Sequence, residues 1–450
     1  MSGNSTTNSG EQNESDFREG TAVSRREFLK IAGIAGAALG LGAGLGGLLA
    51  ACGEGTTSAT AAVTTGASGA AVTTGGAASG EPIVIGLLNE QTGYISNLGM
   101  EIYKGAVIAF KDSPSQVGGR EIKYVLEDPA SDPSIALDKA RKLVEVDKVS
   151  AILSPVDSAS AVAIASYMDT VKVPLIRNCP GAKKMALENQ WTWQPVGIQN
   201  QYGYAAGAYA ADQKHTAADI LALECDDGHG FMDGMKAGFA DKGGRIVQEQ
   251  WYPIGTSDFA PFAVKIDPAA DVLFSWVASD SIIPGYKTLH DFKTYEKMEF
   301  ISPEGWYDSE AIWGEAKDAI THVTFATPWI NTFDTGGSQE FIQAFKSANG
   351  YIPSYVGAAA YHNVQIVLDV LQRTNGDTSG DVMAKALDET SMDTLLGKFS
   401  FANRIAVFPI FMVKMKKESE SAFVPEIMDK YIIEPKKTGN DVTFTAARAS

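Results

Sequence analysis

Histidine and cysteine are scarce in this chain, and their scarcity closes off several kinds of chemistry. Only five histidines occur, His215, His229, His290, His322 and His362, and none falls in a spacing that suits a metal. No Ser/His/Asp grouping and no phosphate-binding glycine loop accompanies them, so neither catalysis, a metal nor a cofactor is expected. The three cysteines, Cys52, Cys179 and Cys225, are too few for a disulfide framework. Basic residues are outnumbered, 37 Lys plus Arg against 54 Asp plus Glu, for a formal net charge of −17. An acidic surface of that size argues against nucleic acid as a partner and favours solubility.

The start of the chain carries the marks of export. Residues 1 to 20 are polar and have no apolar period. Ser24-Arg25-Arg26-Glu27-Phe28-Leu29-Lys30 then resembles a twin-arginine signal, and a glycine-rich, weakly apolar stretch ends in Leu49-Ala50-Ala51-Cys52. Those four residues resemble a bacterial lipoprotein cleavage box, in which the cysteine sulfur takes a diacylglycerol. A permanent membrane span is the alternative, since about 20 apolar residues suffice, but seven glycines between Gly33 and Gly47 would make a poor one. The expectation is a signal over residues 1–51, with Arg25 and Arg26 as its export pair and Cys52 as the lipid attachment site. The protein would then sit on the outer face of the cytoplasmic membrane. Residues 52–81 are almost wholly Gly, Ala, Ser, Thr and Val, a flexible leash with a typical reach of roughly 30 Å.

The remainder exceeds the size at which one hydrophobic core stops growing, so two lobes are expected. Short apolar runs predict strands at 83–88, 122–127, 150–154, 173–177, 219–225, 245–252, 271–277, 299–302 and 323–326. Amphipathic stretches separate them. One opens with Asp132-Pro133, a cap followed by proline at the first helical position, and sets Ala136, Leu137, Ala140, Leu143 and Val144 on one face. Strands alternating with helices indicate an α/β chain whose parallel sheets are covered on both faces. Ligands of such sheets bind beyond the carboxyl ends of the strands.

Polar residues gather at those ends. Asn89-Glu90-Gln91-Thr92-Gly93 follows the first strand, Ser154-Pro155-Val156-Asp157-Ser158 the third, and Asn178-Cys179-Pro180-Gly181 the fourth. Later come Cys225-Asp226-Asp227-Gly228-His229-Gly230 and Ala278-Ser279-Asp280. Each one alone reads as a turn or a helix cap; together they mark a site, and free helix N-termini there suit an anionic group. Glu304, in the run Phe300-Ile301-Ser302-Pro303-Glu304-Gly305-Trp306, lies just past a strand end. It either awaits a cation, pairs with a Lys or Arg of the protein, or caps the helix near Asp308. Trp276 and Trp306 either wall the cleft or pack the core.

The order of several short motifs resembles the substrate-binding proteins of ABC transporters of the branched-chain amino acid type, the Leu/Ile/Val-binding or type I periplasmic binding family. They are Thr92-Gly93, Gly99 and Gly105, Val117-Gly118-Gly119-Arg120, Leu153-Ser154-Pro155 with Ser158, Val173-Pro174-Leu175-Ile176, His229-Gly230 and Pro303-Glu304-Gly305. The resemblance implies two doubly wound lobes, 82–199 with 328–404 and 200–327 with 405–450, joined by a three-crossing hinge that closes on the ligand. It implies an amino acid as ligand, permease subunits and the membrane as partners, and a monomer. Ser158, Cys179 and Gly181 would receive the ligand's carboxylate, and Glu304 its ammonium, with His229 closing over it. Leu98, Trp276, Ala278 and Trp306 complete the expected lining. Binding of an amide, an amine or an aromatic carboxylate, or signalling through a partner, is the alternative. Cys179-Pro180-Gly181 lacks the hydroxyl common in the family at this point. An inward-turned Arg177 would compensate, but a solvated Arg177 is the expectation.

Overall fold

A computed structural model of the chain describes residues 80–449 apart from Trp306 and Ser421. Arg25, Arg26, Cys52 and the linker up to residue 79 lie outside the described residues, as does Trp306. Among the described residues, no helix is long and apolar enough to cross a membrane.

The first sheet is built from β1 (Ile83–Leu88), β2 (Gln116–Val117), β3 (Arg120–Glu127), β4 (Ala151–Leu153), β5 (Leu175–Ile176) and β6 (Thr192–Trp193). Between them lie α1 (Ser96–Lys111), α2 (Pro133–Glu145), α3 (Ser158–Val171) and α4 (Lys183–Glu188). The strand order is β2-β3-β1-β4-β5-β6, parallel except for β2 against β3. β1, Ile-Val-Ile-Gly-Leu-Leu, is buried almost throughout, as expected of a parallel strand covered on both faces. Asp132 caps α2 by accepting from the Ser134 and Ile135 amides, and Ala136, Ala140 and Leu143 form its buried face.

Helix α5 (Gln199–Asp212) carries the chain into the second sheet. There β7 (Ala217–Leu223), α6 (Asp226–Ala240), β8 (Arg245–Tyr252), α7 (Ala260–Ala263), β9 (Val272–Trp276), α8 (Ile282–Asp291), β10 (Glu299–Ser302), α9 (Glu310–Ala316) and β11 (Val323–Thr327) follow in turn. The chain then returns through α10 (Ser338–Asn349), α11 (Tyr355–Arg373) and α12 (Gly380–Asp388). α11 packs on α1 so closely that a Cβ at Gly105 would lie 2.2 Å from the Gly357 carbonyl oxygen. A small sheet of β12 (Ser391–Thr394), β13 (Gly397–Ala402) and β14 (Ile405–Val407) precedes β15 (Pro409–Ser419), β16 (Ala422–Thr438) and β17 (Asp441–Arg448). The large sheet has the order β17-β16-β15-β11-β10-β9-β7-β8, and its last three strands run antiparallel.

The nine expected strands all appear, with ends that shift by up to two residues. The six strands from residue 391 onward are additions to that reading. Their burial alternates along β15 and much of β16, because lysines and glutamates face water while every second residue packs inward. A search for continuous apolar runs passes over such strands. The β16–β17 hairpin also reaches α4: Lys183 pairs with Asp441 at 2.8 Å, and Lys437 donates to the Ala186 and Leu187 carbonyls. Val442 packs there with Ile198 and Ile405.

Helices α5 and α6 meet through four glycines. A Cβ at Gly203, Gly207, Gly234 or Gly238 would lie 2.1 to 2.3 Å from a backbone oxygen of the facing helix, and a backbone atom cannot step aside as a flexible side chain can. This contact fixes where the first turn of α6 points. Gly234→Ala should therefore cost about 1–3 kcal/mol of overpacking strain. Gly314→Ala, on α9 with nothing within 4 Å of its added Cβ, should instead be neutral or gain roughly 0.5–1 kcal/mol. Urea unfolding of the two variants beside the parent checks both signs.

Candidate functional site

In each sheet the strand order reverses direction once, between β1 and β4 and between β7 and β9. The loops leaving those strands diverge and open a crevice. The two crevices face one another: the segments after β1 and β4 supply Glu90 and Ser154 to Ser158, while the first turn of α6, after β7, supplies Asp227 and the end of β9 supplies Trp276.

The Ser154–Ser158 loop is held from two sides. Glu90 accepts from the Val156 amide at 2.9 Å and the Asp157 amide at 3.2 Å. Arg177 is wholly buried, not solvated as the sequence suggests. Its Nη1 donates to the Pro155 carbonyl and to Ser154 Oγ, and its Nη2 to the Val156 carbonyl at 3.1 Å and Ser158 Oγ at 3.3 Å. All four acceptors are neutral oxygens, and its Nε is buried without a hydrogen-bond partner. Burial pushes the Glu90 carboxyl up to about 7, against the pull of the two amides.

The loop delivers the N-terminus of α3 to the crevice. Asp157 is occupied in capping it, accepting from the Ser160 amide at 2.8 Å and from the Tyr94 hydroxyl at 3.0 Å. The next amide, that of Ser158, faces Asp227 of α6, whose Oδ2 lies 3.4 Å away. The Gln199 side-chain amide donates both to Ser158 Oγ at 2.9 Å and to Asp227 Oδ1. One carboxylate from the second sheet's side thus sits on a helix N-terminus of the first. Burial raises the Asp227 carboxyl to about 6, with Asp157 adding to the rise and Arg177 opposing it.

Glu304 is buried just beyond β10 and accepts a hydrogen bond from the Tyr355 hydroxyl at the start of α11. It neither forms an ion pair with a described residue nor caps α9, whose cap position, Ser309, makes no side-chain capping bond. Burial, reinforced by Asp227, pushes its carboxyl up to about 8. A small cavity of about 30 Å³ connects these groups, lined by Leu98, Cys179, Asp227, Phe231, Trp276 and Glu304 among others. The Phe231 and Trp276 rings lie 5.1 Å apart between centroids. Two larger cavities flank it. One of about 380 Å³ shares Leu98 and runs to Ile312, and one of about 220 Å³ is lined by Tyr94, Ile254 and Ala278.

Of the residues expected from sequence, Leu98, Cys179, Trp276 and Glu304 therefore come together, with Ser158 behind Asp227 and Ala278 in the adjoining cavity. Gly181 has its backbone committed already: its N–H donates to the Gly197 carbonyl and its carbonyl accepts from the Gln199 amide. His229 is exposed, hydrogen-bonded to Glu224 at 2.8 Å and packed at a tilt against the Trp251 ring, and does not line the small cavity. The reason is helical geometry, because residues two apart on α6 point roughly 200° apart. A helix that turns Asp227 to the crevice turns His229 away. Tyr355, Gln199 and Phe231 lie in helices, where no strand-end pattern points to them; Asp227 was visible in the strand-end stretch Cys225–Gly230. Cys179 and Cys225 are both free thiols.

Comparison with known proteins agrees with this architecture. The sequence model of the periplasmic binding protein family matches residues 82–420. The Leu/Ile/Val-binding protein homolog 7 of Brucella abortus (strain 2308) is 24% identical over 312 residues, covering 65% of this chain and 78% of the relative. A solute-binding protein of an ABC transporter from Rhodopseudomonas palustris BisB5, solved with 3,4-dihydroxybenzoic acid, superposes with a TM-score of 0.73. It is 22% identical and covers 78% of this chain and 97% of its own. A leucine-binding protein from Thermotoga maritima MSB8 gives a TM-score of 0.68 at 18% identity, covering 77% of this chain and 98% of its own. With three quarters of its length matched, the chain belongs to the type I periplasmic binding protein family, the non-catalytic, extracytoplasmic solute-binding proteins of ABC transporters.

Proposed function

We propose that the ligand carries a protonated amine, received by Glu304, and that the protein hands this ligand to the permease of an importer. The observation that carries the reading is the burial of Glu304 with a phenol as its hydrogen-bond partner and no cation among the described residues paired with it. A carboxylate in such a place is costly until a cation meets it. A ligand that brings the cation gains contacts to both sides of the crevice at once, so binding favours the closed arrangement. Leu98, Cys179, Trp276 and Glu304 would touch the ligand, and amino acids with branched-chain or larger apolar side chains are the class that the curated relatives' names suggest. The lobes would be 82–199 with 328–404 and 200–327 with 405–450. Twin-arginine export, a lipid on Cys52 and a monomeric state belong to the same proposal.

Arg177 favours a second reading. A buried guanidinium whose hydrogen-bond acceptors are all neutral oxygens suits an aromatic carboxylate, the kind of ligand bound in the Rhodopseudomonas palustris neighbour. A thermal-shift panel of amino acids, amines and aromatic acids separates the two. A ligand at 100 times its Kd adds about 2.7 kcal/mol. Amine-bearing compounds should raise Tm, and Glu304→Gln should abolish the rise. Shifts from aromatic acids alone, unaffected by Glu304→Gln, would replace the amine reading with the carboxylate one.

The pH dependence has a definite sign. The folded, ligand-free protein holds a proton on Glu304 up to about pH 8, whereas the unfolded chain releases it near 4.5. Its stability should therefore fall as pH rises through that window, and fall less in Glu304→Gln. A cationic ligand needs the ionised carboxylate, so its binding expels the proton. Affinity should rise up to about tenfold per pH unit toward pH 8 and then level. Calorimetry at pH 7 in buffers of different ionisation enthalpy should register close to one proton released per ligand. Tyr355, Asp227, Cys179 and Tyr202 are the titratable groups around Glu304.

A further inference from the structure

Asp227 occupies a place built for an anion. The first-turn amide of α3 points at its Oδ2, the Gln199 amide donates to its Oδ1, and the buried Arg177 holds the same loop through Ser158 and Val156. A helix N-terminus with a guanidinium behind it attracts a carboxylate, and the carboxylate it holds comes from the chain itself. A second, independent observation concerns what lies on the other side of Asp227. The small cavity places Asp227 and Glu304 on its walls beside the rings of Phe231 and Trp276, with the rest of the lining mostly apolar. Two carboxyl groups and two aromatic faces around about 30 Å³ match an ammonium head in charge and size, since that volume exceeds what one water needs. Apart from the Trp276 indole N–H, they offer nothing to a second anion.

Resting on the reading that Glu304 receives an amine, we infer that Asp227 takes the position a ligand carboxylate would need, so that the site selects alkylammonium ligands without a carboxylate over the corresponding amino acids. The selection is a difference between two affinities. The amine gains from two acids, while the amino acid must push a negative charge against Asp227 or displace it from the Ser158 and Gln199 donors. The larger cavity that shares Leu98 with the small one would take the carbon chain.

Matched pairs test this in calorimetry on the purified full chain: 3-methylbutylamine against leucine, 2-phenylethylamine against phenylalanine, and 1,5-diaminopentane against lysine, with benzoate as the acid control. In the parent protein at least one amine should bind at least tenfold more tightly than its amino acid. In Asp227→Asn, which keeps the shape but turns one of the two acceptor oxygens into a donor, the preference should shrink at least tenfold, and in Asp227→Ala amino acid binding should strengthen. The parent panel stands by itself if the alanine variant does not fold. Amino acids binding as tightly as their amines in the parent, with the response still lost in Glu304→Gln, overturn the role of Asp227 and leave the amine reading intact. Benzoate binding while every amine is silent overturns both, as does silence of the whole panel.

Discussion

The cleft is referred throughout to one short loop, Ser154–Ser158, which is buried and belongs to no ladder. Buried backbone groups must find partners, and here two charged side chains of opposite sign provide them: Glu90 for two amides, Arg177 for two carbonyls. Hydrogen bonds to charged groups contribute about 1.5–3 kcal/mol each, and leaving their buried partners unsatisfied costs a comparable amount. Loss of either clamp would free the loop, and with it the N-terminus of α3, the Asp157 cap and the contact from Gln199. The strand-end polar residues acquire their positions only because this loop has one.

Charge at the cleft is arranged unevenly, and the unevenness is informative. Arg177 lies among neutral oxygens on the first sheet's side, while Asp227 and Glu304 approach from the second. Most surface carboxylates of the protein pair with a lysine or lie in water, as Glu127 does with Lys139 and Lys142; such pairs are worth little individually. Glu304 is buried and has no lysine partner among the described residues. Its environment resembles that of a group kept neutral until something arrives to ionise it, which is a property of recognition sites more than of scaffolds.

Much of this was legible in the sequence, for identifiable reasons. Parallel strands covered on both faces are continuous apolar runs, so Ile83–Leu88 and Glu299–Ser302 could be bounded to the residue, and Glu304 stood out because a charge closely follows such a run. The C-terminal strands escaped because alternation with Lys and Glu looks like a polar tail until the partner strand is known. Arg177 escaped for a different reason: a lone arginine after a strand has solvent as its default, and only the three-dimensional loop reveals four acceptors waiting for it. His229 was misplaced relative to the cleft because the order of residues within a loop does not say which of them the following helix will turn inward.

The C-terminal hairpin has a mechanical consequence. By its ladder it is part of the large sheet, yet Lys183, Lys437 and the apolar patch of Val442 with Ile198 and Ile405 fasten it to α4 beside the smaller one. This seam shares no residue with the small cavity. Under the proposed closure of two lobes, an opening at the small cavity leaves this seam whole, because none of its residues lines that cavity.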